Sequence, residues 1–292
     1  MNFYNIIEEI EKVDPDFQDR ISPRRAAIRN MTSFGSKVAV AALPFALGSM
    51  FKKAYGQATS ADVIGVLNFA LTLEFLESSF YNAAVSSSTL TIPSDDMTNY
   101  FKYIQADENK HVAFLIEAIK GAGGTPVPRS SLTFDYTGGN GSNAGPFADV
   151  FINYQTFLAV SETFEDTGVR AYKGQAPTLV LNPVLTAALG IHAVEARHAS
   201  AIRYLRTTKY GASVNPWITS DGGKGNDTGI AAVDANYAGE DATTQLGVNI
   251  LTLPGAAAGS TTSVGTATAA FDEPLTKDAV LKLLVGSFIV HH

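Results

Sequence analysis

Apolar positions recur with a helical period from Ser60 onward. Val63, Ile64, Val66, Leu67, Phe69, Ala70, Leu71 and Leu73 leave scarcely a polar face, so this stretch predicts a helix over about 60–86, buried on nearly every side. A second predicted helix opens at Ser94 as N-cap, with Asp95 and Asp96 in a first turn that favours acidic side chains, and runs to Lys120. Gly121 is its expected stop. A third is expected from near Pro146 to about Tyr172. The fourth opens with Asn182-Pro183, a cap followed by proline at the first helical position, and continues to about Thr207. A shorter fifth helix reads from Leu275 to Ile289.

The connections constrain how these helices pack. A short loop makes helices one and two antiparallel neighbours, whereas residues 121–145, rich in Gly, Ser, Asn and Pro, are long enough to cross the length of a bundle. The pattern therefore predicts an all-α four-helix bundle with one long crossover between helices two and three. Residues 209–272 are dominated by Gly, Thr, Ala, Ser and Asn without a helical period. Within them Val248-Asn249-Ile250-Leu251-Thr252-Leu253 is a candidate strand. So long an irregular stretch is a functional segment or a surface elaboration.

Residues 1–58 read differently. Arg24-Arg25-Ala26-Ala27-Ile28-Arg29 precedes an apolar segment, Val38 to Phe51, interrupted by Pro44 and followed by small residues around Ala54-Tyr55-Gly56. That segment falls short of the roughly 20 apolar residues a membrane span needs. It has the form of an export signal, and the paired arginines resemble a twin-arginine leader. The expected organisation is a leader over 1–58, cleaved or retained, and one domain over 59–292 carrying the 209–272 insertion. No stable membrane span is expected unless the leader is retained. The protein is expected to act in the periplasm or outside the cell.

Charge sharpens the division. The leader holds eight basic and six acidic residues, the remainder thirteen and 22, within a total of −7. An acidic body repels phosphate backbones, so nucleic acid is not an expected partner. The absence of cysteine removes disulfides, thiolate metal sites and thiol nucleophiles.

The chemistry lies in the predicted helices. Glu108-Asn109-Lys110-His111 is in helix two and Glu195-Ala196-Arg197-His198 in helix four. Residues three apart share a helix face, so each pair can present a carboxylate and an imidazole to one point. Helix one adds Glu74 and Glu77, and helix three adds Glu162 and Glu165, all in apolar surroundings. A buried carboxylate costs several kcal/mol unless it is paired or binds a metal. A weak internal repeat links the halves. Glu74 is followed by Tyr81 and Glu165 by Tyr172 at the same offset, and each pair precedes a Glu-x-x-His. Two hairpins of one design packed about a pseudo-twofold axis would bring such side chains to two equivalent metal positions.

One Glu from each of two helices plus Glu-x-x-His from the other two is the ligand pattern of ferritin-like di-iron or di-manganese proteins. The flanking text, Leu67-Asn68-Phe69-Ala70-Leu71-Thr72-Leu73-Glu74-Phe75-Leu76-Glu77, Phe164-Glu165-Asp166-Thr167-Gly168-Val169, Glu195-Ala196-Arg197-His198 and Phe271-Asp272-Glu273-Pro274-Leu275, resembles the exported ferritin-like domain family. That family includes plant desiccation-related proteins. Over roughly residues 60–290 the resemblance implies a ferritin-like four-helix bundle with a long crossover between its second and third helices, a long irregular insertion and a short C-terminal fifth helix. It implies as ligands Glu74, Glu108, His111, Glu165, Glu195 and His198, holding two iron ions, two manganese ions or one of each, with Glu108 and Glu165 or their partners bridging the ions.

Other positions carry expectations of their own. Glu162, one turn before Glu165, resembles the additional carboxylate of rubrerythrin-type peroxidases and is either a movable seventh ligand or a solvated neighbour. Glu77 is expected beside the ligands or as a capping partner. Tyr81 and Tyr172 are redox-active, hydrogen-bonded to a ligand Glu, or ordinary core residues. Asp107 and Asp166 should point away from the ligands, to solvent or salt bridges. His192 is expected to touch backbone at a helix start, and His291 and His292 to be exposed. Two functions follow. One is a redox protein acting on dioxygen or peroxide in oxidative or desiccation stress, as a ferroxidase- or peroxidase-type enzyme. The other is a non-catalytic structural or assembly protein with structural metal or none. Either is compatible with a homo-oligomer.

Overall fold

The computed structural model describes residues 61–179, 183–219, 231–255 and 259–291, all within the unit Met50–His292. The expected leader with its paired arginines, the Asn182 cap and His292 lie outside the described residues.

Four long helices form the body: α1 Ala61–Val85, α2 Lys102–Gly121, α3 Tyr154–Gln175 and α4 Val184–Tyr210. α1 packs chiefly on α2, and α3 on α4. Their apolar faces form two clusters. One holds Phe80 of α1, Ile104 of α2, Phe157 of α3 and Leu205 of α4. The other holds Leu67, Ile119, Tyr172 and Ile191 of the same helices. The clusters therefore occupy opposite ends of the bundle. α1/α2 and α3/α4 are antiparallel hairpins, while α2 and α3 run the same way. Chain leaving the end of α2 must cross the bundle before α3 begins, which is the long crossover expected from the sequence. Among the described helices only α1 is long and apolar enough to span a membrane, and its side chains are instead mostly buried in the bundle.

Helix ends depart from expectation where a local signal outweighs periodicity. α2 is entered through a helical turn Ser94–Asp96 and a π turn Met97–Phe101. Pro93, not Ser94, stands at the N-cap, without a side-chain cap. Gly121 is the last helical residue, and the stop is Gly123 at φ +79°. The Gly124 amide bonds the Ile119 carbonyl at 2.9 Å and the Gly123 amide bonds Lys120 at 3.0 Å, a paired closure that needs a left-handed residue. α3 starts eight residues after Pro146, because the Asn153 side chain accepts from the Gln155 amide at 3.0 Å and caps it there. Upstream, Phe147 and Val150 insert into the core from turns. Asp96 is buried and joins three helix ends, accepting from Tyr154 at 3.1 Å, Tyr210 at 2.6 Å and Lys209.

The crossover contains a 3₁₀ turn Arg129–Ser131 and strand β1, Thr133–Phe134. It folds around Asp135, whose carboxylate accepts from the amides of Thr137, Gly141 and Asn143. Burial pushes that carboxyl up, but the Thr137 hydroxyl and these amides outweigh it and hold its pKa below the ordinary value.

The described residues of the insertion form only short elements. It has a 3₁₀ turn Ala231–Tyr237, a hairpin of β2 Thr244–Gln245 with β3 Val248–Asn249, a 3₁₀ turn Ile250–Thr252 and helix α5 Val264–Ala269. Only the first two residues of the candidate strand at 248–253 are extended in a ladder. The short fifth helix expected over Leu275 to Ile289 is shorter still, α6 Lys277–Leu284, capped by Thr276. Gly286 turns the chain at φ +83°, and Ile289–His291 becomes strand β4, antiparallel to β1. Phe288 then packs edge-on against Phe164, centroids 4.9 Å apart.

Arg170 of α3 secures the insertion. Its Nε donates to the Glu273 carbonyl at 2.8 Å and pairs with Glu240 at 2.8 Å, Nη2 donates to the Ala238 carbonyl at 2.6 Å, and Nη1 donates to Asn236. Arg170 and Glu240 are each 1% exposed, so removing one leaves the other charge buried without its partner. Arg170→Met should lower stability by about 3–5 kcal/mol. Limited proteolysis should then cut within residues 231–245 well before the bundle. An unchanged cleavage rate there would show that Arg170 does not hold this segment.

Candidate metal centre

The bundle carries its charged residues at mid-length. On every helix they lie between residues of the two apolar clusters: Glu74 and Glu77 on α1, Glu108 and His111 on α2, Glu165 on α3, Glu195 and His198 on α4. The same periodicity that buries the clusters carries these side chains inward. Glu74, Glu108, Glu165 and Glu195 have no exposed surface, and His111 and His198 are 9% and 7% exposed.

Six of them converge. Glu74, Glu108, His111 and Glu195 each offer an atom within 4.8 Å of the others, and so do Glu108, Glu165, Glu195 and His198. The sequence left open which carboxylates are common to both positions. In the structure Glu108 and Glu195, the glutamates of the two Glu-x-x-His motifs, belong to both groups, and Glu165 belongs to one. His111 Nδ1 lies 3.2 Å from Glu74, 3.1 Å from Glu108 and 3.2 Å from Glu195. His198 Nδ1 lies 2.8 Å from Glu108 and 3.2 Å from Glu165. Both imidazoles thus turn the same nitrogen inward.

The tyrosines of the internal repeat cross over. Tyr81 of α1 donates to Glu165 Oε1 of α3 at 2.5 Å, and Tyr172 of α3 donates to Glu74 Oε1 of α1. Each hairpin's tyrosine therefore orients the other hairpin's carboxylate. The repeat breaks one turn after each glutamate, where α1 has Glu77 and α3 has Gly168. A Cβ on Gly168 would stand 3.0 Å from Glu195 Oε2 and 3.2 Å from Glu77 Oε1. The missing side chain is the space these two carboxylates use. Glu77 is buried beside the centre, as expected, but belongs to neither group.

So many acceptors have too few donors. Glu195 Oε2 is buried with no hydrogen-bond donor. Glu74 Oε2, Glu108 Oε1 and Glu195 Oε1 have no donor but an imidazole nitrogen, and each such nitrogen can give one proton to the several oxygens around it. Burial lifts the Glu74 carboxyl to about 8. It also lifts those of Glu77, Glu165 and Glu195, with neighbouring carboxylates adding to the effect. Glu108 moves the other way, to about 2, because bonds from His111 and His198 outweigh its burial. Burial would lower the imidazoles, but Glu165 and Glu108 raise His198 to about 11, and Glu108, Glu195 and Glu74 raise His111 further. Without cations the cluster must hold protons. Four carboxylates and two neutral imidazoles would balance two divalent ions, and the donor-less oxygens are where such ions would attach.

Glu162 does not join this centre. It is fully buried rather than solvated, and it turns toward α4, where Arg206 Nη1 donates at 2.6 Å and Arg203 Nη2 lies at 3.3 Å. Two guanidiniums supply the counter-charge that a metal would otherwise give. Asp166 takes the salt-bridge alternative, and it does so buried. Arg203 approaches it at 2.6 Å and Tyr237 of the insertion donates to it at 2.7 Å. The missed signal was the pair Arg203 and Arg206, which punctuates the apolar stretch of α4 with two cations three residues apart. Asp107 makes an expected salt bridge, to Lys110 at 3.1 Å, but does not point wholly away from the centre, since its other oxygen lies 3.6 Å from His198 Nε2. His192 is in mid-helix rather than at a helix start, and its Nδ1 is buried without a partner.

A model of the ferritin-like domain family matches residues 62–208. That is half of the chain, and the chain belongs to this family. The all-α bundle, its crossover and a buried Glu/His group suited to metal are therefore consistent by geometry and by family. No curated protein matches the chain.

Glu162→Ala would remove a buried carboxylate that both Arg206 and Arg203 approach. It should cost about 3–5 kcal/mol in a urea titration while leaving metal stoichiometry unchanged. Loss of a bound ion with stability intact would instead restore Glu162 as a ligand.

Proposed function

We propose that this protein holds two iron ions, or manganese, or one of each, and applies them to dioxygen or peroxide outside the cytoplasm, in oxidative or desiccation stress. The observation that carries this reading is the pair of overlapping four-residue groups sharing Glu108 and Glu195. Such sharing suits two ions side by side rather than one. Carboxylate oxygens with two imidazoles favour iron or manganese over thiol-seeking metals.

Each protein group has a distinct task in this reading. Glu74 and His111 would hold one ion, Glu165 and His198 the other, and Glu108 and Glu195 would span both. Tyr172 and Tyr81 restrain the outer oxygens of Glu74 and Glu165, so that each ligand keeps one orientation. The apolar clusters at the two ends keep bulk water out, which strengthens every charge interaction inside. Ferrous ions held by these residues would supply two electrons, enough with two protons to take dioxygen to hydrogen peroxide or hydrogen peroxide to two waters.

Export rests on Arg24-Arg25 and the apolar segment Val38 to Phe51, and the stress role on the resemblance to desiccation-related proteins. A twin-arginine route carries folded cargo, which suits a domain that takes up its metal before leaving the cytoplasm.

Anaerobic titration with Fe(II) should give two ions per chain. Glu108→Ala and Glu195→Ala should each weaken both, whereas Glu74→Ala and Glu165→Ala should each weaken one. Equal losses in all four variants would remove the shared-ligand arrangement. Because the ions displace protons held by Glu74 and His198, apparent affinity should climb as pH rises from 6 to 8, by about tenfold per unit for each proton released. Admission of dioxygen or peroxide should then oxidise the bound iron. Two tightly held ions that stay ferrous under both oxidants would replace the redox reading with a structural metal site.

A further inference from the structure

The two ends of the bundle differ in filling. Around Tyr81 the space is occupied by rings: Phe101 and Phe157 lie 5.0 Å apart, and Phe80 stacks on Phe157 at 5.2 Å. Around Tyr172, its counterpart in the internal repeat, there is a chamber of about 20 Å³ lined from all four helices, by Ala70 of α1, Leu115 of α2, Tyr172 of α3 and Ala188 of α4 among others. Of its lining residues only Tyr172 and Gln175 carry polar side chains, and the Tyr172 hydroxyl is already committed to Glu74.

We infer that this chamber holds dioxygen and supplies it to the metal position of Glu74 and His111. The inference rests on the dinuclear reading above and specifies its oxidant. One small molecule needs about 10–15 Å³ on this scale, so the chamber has room for one diatomic. A buried water needs two to four polar partners. The chamber offers almost none, and hydrogen peroxide meets the same obstacle. An apolar diatomic loses no hydrogen bonds on entering and gains dispersion contacts with the walls. The chamber also adjoins the centre on one side only. The Tyr172 ring is both its wall and the support of Glu74, Leu73 lines it next to Glu74 in sequence, and Ile191 lines it one turn before Glu195.

Xenon tests the chamber without any metal. Crystals of the full chain under xenon pressure should show xenon against Ala70, Leu115 and Ala188. Ala188→Leu, and the milder Ala188→Val, should remove or weaken that site. In the iron-loaded protein the same variants should raise the KM for dioxygen several-fold, more for Leu than for Val. They should leave the binding of two Fe(II) ions and oxidation by hydrogen peroxide unchanged. Absence of xenon from the wild-type chamber overturns the inference, as does an equal slowing with both oxidants, which would mean general damage to the centre. Xenon bound in a protein that takes up no Fe(II) overturns the dinuclear reading and the choice of gas with it. Occupation of the chamber by a co-purified apolar chain that excludes xenon would likewise overturn it.

Discussion

Four carboxylates drawn into one water-free point repel each other and lose their hydration, and nothing in the bundle core can compensate except positive charge. That constraint orders the rest of the structure. Glu74, Glu108, Glu165 and Glu195 have no exposed surface, and among the described residues the imidazoles of His111 and His198 reach them. An apolar cluster closes each end of the bundle, so water cannot relieve the charge from either side. The cross-paired tyrosines consume one oxygen each of Glu74 and Glu165. The oxygens left without donors face the interior, where a cation is the complementary occupant.

One turn away on the same helix the problem is solved in another way. Glu162, Asp166 and Glu240 meet Arg206, Arg203 and Arg170. Here guanidiniums provide both charge and directional donors, so no ion is needed. α3 therefore carries two kinds of buried acid side by side, Glu165 open to a cation and its neighbours closed by arginine. The arginine layer does a second task. Through Arg170, Asp166 and Thr167 it binds carbonyls and side chains of residues 236–240 and 273, holding the insertion to the bundle. The family match ends at residue 208, yet the residues that anchor the insertion lie inside the matched region.

The pseudo-twofold repeat is followed and then broken in a useful way. Glu74 with Tyr81 and Glu165 with Tyr172 keep their equivalence in the structure. Glu77 and Gly168 do not, and the absent side chain accommodates the Glu195 and Glu77 carboxylates. The ends also differ, rings at one and a chamber at the other. The two overlapping Glu/His groups therefore have different surroundings.

The sequence by itself determined the four helices, the long crossover and the six glutamates and histidines that turn inward and converge. Helical period and Glu-x-x-His spacing are local properties, and a carboxylate in an apolar helix announces its own difficulty. Helix ends were legible only where a single cap dominates. Asn153 and Gly123 overruled Pro146 and Gly121 because a cap bond or a left-handed residue is a stronger local term than composition. Only the tertiary structure decided that Glu108 and Glu195 are the shared pair, that Glu162 answers to arginine, and that Tyr81 and Tyr172 exchange partners. Those outcomes depend on which side chains from distant segments arrive first at each charge, between residues up to 98 apart in the case of Tyr172 and Glu74, and no local pattern encodes that.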